Sequence, residues 1–118
     1  MAQELTELEP GNTTYRRDLS ISYERLGKIA AEAGQAEESR RCLTIALDMR
    51  RELRRQESQR VDLAEELGVT LYLFSGAVDD QANVRQEIID VLVPFERAAT
   101  ITRKGISLLG WARQPRTE

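Results

Sequence analysis

Apolar and small residues recur along the first half of the chain at helical intervals. From Tyr23 the series continues through Leu26-Gly27, Ala30, Gly34, Ser39, Leu43 and Ala46, at gaps of three, one, three, four, five, four and three. These gaps place Tyr23, Leu26 and Ala30 on one face of a helix, and Leu43 and Ala46 on one face of the next. Gly27 and Ala30 are small enough to let a second helix lie close. Gly34 can adopt the left-handed conformation that ends the first helix. The pattern predicts helices over 13–33 and 36–56, with Asn12 capping the first and Gln35 opening the turn into the second. Leu19, Tyr23, Leu26 and Ala30 form the apolar side of the first. Leu43, Ala46, Leu47 and Met49 or Leu53 form that of the second.

The second half repeats this pattern loosely. Ser58 starts a third predicted helix over 59–75, where Leu67-Gly68 echoes Leu26-Gly27 and Asp62-Leu63 echoes Asp18-Leu19 in a different register. A strand over Val69–Leu73 would have no sheet to join, so the stretch reads as a buried helix. Asp79 or Asp80 caps a fourth helix over 83–98. Its Ile88, Ile89, Val91, Leu92, Val93 and Phe95 cover nearly the whole circumference, which requires more than one neighbour. Pro94 kinks that helix near Val91–Val93 or starts a new one. Thr102 caps a last helix over 103–113, with Ile106, Leu109, Trp111 or Ala112 as its apolar side and Trp111 as an anchor beside the fourth helix. Ahead of all this, Leu5 and Leu8 followed by Pro10-Gly11 mark the end of a short helix over 1–9.

The series from Tyr23 to Ala46, flanked by Glu9-Pro10-Gly11-Asn12 and Arg17-Asp18-Leu19-Ser20, resembles a tetratricopeptide repeat of the bacterial, kinesin-light-chain-like kind. The resemblance covers one repeat well and then weakens. It implies an all-α fold of antiparallel helical hairpins, stacked as a short solenoid. Residues 1–9 would be the tail of a preceding helix, 12–56 a well-formed repeat, 58–98 a degenerate one and 102–113 a capping helix. Together they would form one domain at the C-terminal end of an array. The resemblance also implies a non-catalytic protein–protein interaction module that holds a peptide or partner helix in a concave groove. Carried onto this sequence, the groove would be lined by Ile21, Glu24, Arg25, Lys28, Ala31 and Glu32, then by Asp62, Glu65, Glu66, Val69, Tyr72 and Leu73. The partner-binding candidates are Glu24, Arg25, Lys28, Glu65, Glu66, Val69 and Tyr72. The family's carboxylate clamp of Lys and Asn residues is absent, because Glu24, Arg25 and Lys28 stand in its places. With five carboxylates and two cations, such a groove would favour a partner carrying basic residues beside an apolar anchor.

Composition narrows the chemistry. The 118 residues contain no histidine and one cysteine, Cys42. That removes the usual general base, the His-activated nucleophiles and most zinc sites, so neither an enzyme nor a metal or other cofactor is expected. Cys42 is expected to be a buried small apolar residue. Adjacent helical residues point about 100° apart, so Glu65 and Glu66 do not converge on one substrate atom. The net charge of −3 gives no bulk attraction to nucleic acid or anionic lipid. No apolar run approaches the roughly 20 residues of a membrane span, which excludes a membrane partner. The acidic N-terminus is unlike a secretory signal, and the reading places the chain in the cytoplasm.

Two alternatives compete with the groove. Arg50, Arg51, Arg54, Arg55 and Arg60 could form a basic stripe for nucleic acid or an acidic partner. Against it stand the missing aromatics and the ordinary use of cations at a helix C-terminus. The chain could also be a regulatory segment of a larger signalling protein. The apolar second hairpin calls for further burial against preceding repeats or against a second copy of the chain.

Overall fold

The computed structural model describes residues 13–79 and 81–115. These residues form five α-helices and no strand: α1 (Thr13–Glu32), α2 (Ala36–Gln56), α3 (Val61–Ser75), α4 (Gln81–Arg97) and α5 (Arg103–Ala112). Each helix packs against the next, and α5 returns to touch α3. The expected short helix over 1–9, the Asn12 cap and Asp80 lie outside the described residues. Among the described residues, no helix is long and apolar enough to cross a membrane.

The α1–α2 hairpin forms around its small residues. A Cβ on Gly27 would lie 2.7 Å from Leu43 Cγ, and the Gly27 carbonyl accepts a 2.8 Å hydrogen bond from Ser39 Oγ. The helices therefore touch backbone to side chain at this point. At the turn, Gly34 has φ +75°, the Gln35 N–H bonds the Ala30 carbonyl at 2.8 Å, and the Gly34 N–H bonds the Ala31 carbonyl at 3.1 Å. This pair of bonds is a Schellman motif, which satisfies the last carbonyls of α1.

The inward face of α1 differs from the one its apolar spacing predicts. Ser20, Gly27 and Ala30 are buried, Leu19 and Tyr23 are half-buried, and Leu26 is 51% exposed. The physical reason lies on α2, which directs a buried arginine, Arg50, at this face. Ser20 receives its guanidinium and Gly27 receives Leu43, so small and polar residues take this face and Leu26 is left on the flank.

The main core lies between α3, α4 and α5, with Leu47 of α2 closing it. Leu67, Leu71, Ile88, Leu92 and Leu109 are almost completely buried there. Val69–Leu73 is helical, as its lack of a partner strand predicts. The α4 helix begins at Gln81 and runs through Pro94 to Arg97. Gly68 lets α5 approach α3: a Cβ there would lie 2.9 Å from Leu108 Cδ1.

Helix α4 ends in the same motif as α1, without a glycine. Ala99 has φ +59°, the Thr100 N–H bonds the Phe95 carbonyl at 3.0 Å, and the Ala99 N–H bonds the Glu96 carbonyl at 3.1 Å. An L-residue in this region is strained by about 1–2 kcal/mol. Part of the gain from relieving it is lost to the greater chain entropy of unfolded glycine. Ala99→Gly is therefore expected to stabilise the fold by about 1 kcal/mol, raising Tm by about 4 °C in a thermal melt.

Candidate functional site

Of the seven partner-binding candidates, the three carboxylates are engaged inside the molecule. Glu24 Oε1 lies 2.5 Å from Arg50 Nη1 and accepts a 2.8 Å hydrogen bond from the Thr70 hydroxyl. Arg50 is 4% exposed and also donates to Ser20 Oγ at 3.1 Å, to Thr70 Oγ1 at 2.5 Å and to the Glu66 carbonyl at 3.1 Å. This polar node ties α1, α2 and α3 together. Beside it, Glu66 accepts from Arg17 Nε at 2.8 and 3.0 Å, and from Arg17 Nη2. Glu65 points the other way, toward α5. Its two oxygens accept the Thr102 backbone N–H at 2.9 Å and the Thr102 hydroxyl at 2.7 Å. Thr102 is the N-cap residue of α5, as its position predicts, but its side chain makes no capping bond; its hydroxyl is given to Glu65 instead.

The remaining candidates divide. Tyr72 is 46% exposed and meets Trp111 edge to face, with ring centroids 4.8 Å apart. Trp111 in turn carries the Arg85 guanidinium 4.1 Å from its ring centroid, which seats it beside α4. Val69 is half-buried against the main core. Arg25 and Lys28 are exposed, and neither has a hydrogen-bond or ion-pair partner among the described residues. The Glu24–Lys28 pairing that their spacing offers does not form, because Glu24 is held by Arg50.

The basic stripe is spread over the fold in the same way. Arg50 is buried. Arg51 makes two 2.8 Å bonds to Glu87, Arg55 pairs with Glu52 at 2.8 Å, and Arg60 pairs with Asp62 at 2.8 Å. The Arg60 guanidinium holds the Asp62 carboxyl below its usual range. The Thr13 hydroxyl does the same for Glu57, with help from Arg60. Cys42 is 1% exposed, and burial pushes its thiol pKa up. Among the described residues, no three Cys, Asp or Glu side chains come together as a metal site would require.

One open cleft uses a candidate residue. It lies where the α1–α2 turn meets the C-terminal end of α3, and its volume is about 250 Å³. Gly27, Ala31, Ser39 and Leu43 form one wall, Leu73, Gly76 and Ala77 the other. Lys28 stands among these linings as the only charged side chain. The cleft is below the size of a typical cofactor pocket, roughly 300–1,000 Å³. It has room for one or two inserted side chains. A second cleft of about 240 Å³, between Leu71, Phe74, Val78 and Val84, is bordered by the Arg51–Glu87 pair.

Lys28, Ala31 and Leu73 of the inferred groove line the first cleft, while Gly76, Ala77 and Ser39 were not legible as site residues. The small-residue run Gly76-Ala77 after α3 is the signal that could have found them. No family model matches the chain, and neither curated proteins nor solved structures yield a match.

Proposed function

We propose that this chain is a non-catalytic interaction module, built of stacked tetratricopeptide-like hairpins, that holds a peptide or partner helix by inserting an apolar side chain into the cleft beside Lys28. The observation that carries this reading is the cleft itself: apolar, lined by small residues, open, and bearing one uncommitted cation. Support for the stacking comes from the close α1–α2 approach at Gly27 and from the sequential packing of the helices. The single buried cysteine accords with a cytoplasmic setting.

The preferred partner charge is the reverse of the one the groove's composition predicts. Glu24, Glu66 and Asp62 are paired with arginines within the fold and Glu65 is hydrogen-bonded to Thr102, which leaves Glu32, Arg25 and Lys28 uncommitted, and of these Lys28 alone lines the cleft. A carboxylate next to the inserted side chain is the complementary feature. A random 12-residue peptide library displayed against the full chain tests this. The selected peptides are expected to share one large apolar residue flanked by Asp or Glu. Lys28→Glu should weaken them about tenfold, and Ala31→Trp, which fills the cleft, should abolish binding. Failure to enrich any peptide, or peptides that bind Ala31→Trp unchanged, would remove the cleft from the reading.

A further inference from the structure

Helix α1 carries a second set of positions, of which Ser22, Leu26, Ile29 and Ala33 are exposed and Tyr15 and Leu19 half-buried. Leu19, Ser22, Leu26 and Ile29 follow at gaps of three, four and three, with Tyr15 four residues before and Ala33 four residues after. This is the spacing of a two-stranded coiled-coil seam. Arg17 and Glu24 mark the α3 side of α1, and Ser20 and Gly27 mark its α2 side. The seam lies on the remaining flank. Leu26 is 51% and Ile29 62% exposed, although both are large aliphatic residues. Asp18 and Arg25 border the seam seven residues apart. Both are exposed, and their side chains have no partner among the described residues.

We propose that this flank is a self-association surface on which α1 lies antiparallel to α1 of a second copy of the chain, about a two-fold axis at Ser22. The choice of a second copy rests on self-complementarity. The midpoints of Tyr15 and Ile29, of Asp18 and Arg25, and of Leu19 and Leu26 all fall within half a residue of Ser22. A two-fold axis there brings Leu19 against Leu26 of the partner subunit, and Tyr15 against Ile29 of the partner subunit. It also sets Asp18 opposite Arg25 of the partner subunit. Because the interface is isologous, each of these contacts occurs twice. Ser22 is small, so the helices can approach closely on the axis. A register centred on Arg25 would instead bring Asp18 toward Glu32 of the partner subunit and Arg25 toward its own copy, pairing like charges.

Sedimentation equilibrium of the full chain at low salt, over a range of about 10–500 μM, tests the proposal. The expected result is a reversible monomer–dimer equilibrium. Asp18→Arg or Arg25→Asp alone replaces two attractive pairs by two repulsive ones and should weaken dimerisation about tenfold. The combined Asp18→Arg/Arg25→Asp variant should restore it, and Leu26→Asp should abolish it. All three positions are exposed, so circular dichroism and Tm are expected to stay close to those of the parent. A chain that remains monomeric throughout, a dimer that survives Leu26→Asp, or a charge swap that fails to restore association would each overturn the proposal.

Discussion

Arg50→Met is expected to lower the free energy of unfolding by about 4 kcal/mol, the range found when one member of a buried ion pair is removed. The guanidinium is 95% buried at the side chain and Glu24 is 85% buried, as their exposures of 5% and 15% show. Methionine fills much of the vacated volume. It leaves the Glu24 carboxylate with the Thr70 hydroxyl as its remaining polar contact of the node, and leaves Ser20 Oγ without its donor. The cost is therefore dominated by an uncompensated charge rather than by a cavity. A companion variant separates the two. Arg50→Met/Glu24→Met removes both charges and should return to within about 1 kcal/mol of the parent, because a buried pair can often be replaced by apolar residues of similar volume. Urea unfolding at neutral pH measures both. If the double variant is as unstable as the single one, shape rather than charge holds the node together. Either outcome bears on the basic-stripe reading: Arg50 lies inside the fold, so any binding lost on its replacement reports unfolding first.

Local geometry was legible because it depends on neighbours in sequence. The Gly27 approach and the Gly34 cap each involve residues within one hairpin, and both are seen where their residue types place them. The charge pairing was not legible. Glu24 finds Arg50 26 residues away, Glu65 finds Thr102 37 away, and Arg17 finds Glu66 49 away. No periodicity encodes such distances. A signal was nevertheless present for Arg50: Leu43, Ala46, Arg50 and Leu53 are spaced by three, four and three, so the arginine stands at a core position of α2. Glu65 likewise shares a face with Gly68 and Tyr72, both of which meet α5. Ala99 gave no such signal, since nothing in an alanine marks a left-handed turn. Leu26 misled for a different reason. Apolar spacing identifies a stripe, and on α1 two stripes lie side by side, one small and polar against α2, the other aliphatic and exposed at Leu26 and Ile29.

Glu65→Ala should release α5 before the rest of the fold and lower overall stability by about 3 kcal/mol, equivalent to roughly 12 °C in Tm. Helix α5 has ten residues, too few to be stable alone. Its start is fixed by the Glu65 carboxylate, which accepts two Thr102 donors and brings negative charge to the positive end of the helix. Gly105 makes this possible: a Cβ there would lie 2.6 Å from Glu65 Oε2. What remains after the substitution is the burial of Leu109 and Ala112 in the main core, Leu108 on Gly68, Trp111 against Tyr72 and Arg85, and the exposed Arg113–Glu96 pair. Local opening follows the weakest attachments, so α5 amides are expected to exchange faster than those of α3 and α4. The lone tryptophan, Trp111, should shift its emission to the red at denaturant concentrations that leave helical content intact. Glu65→Gln keeps one acceptor and should cost about half as much. If α5 amides keep their protection in Glu65→Ala, the carboxylate is not what holds the helix. A groove test by charge reversal at Glu65 would also mistake undocking of α5 for a lost partner. Lys28, at the open cleft and free of internal bonds, is the position where charge reversal reads binding alone.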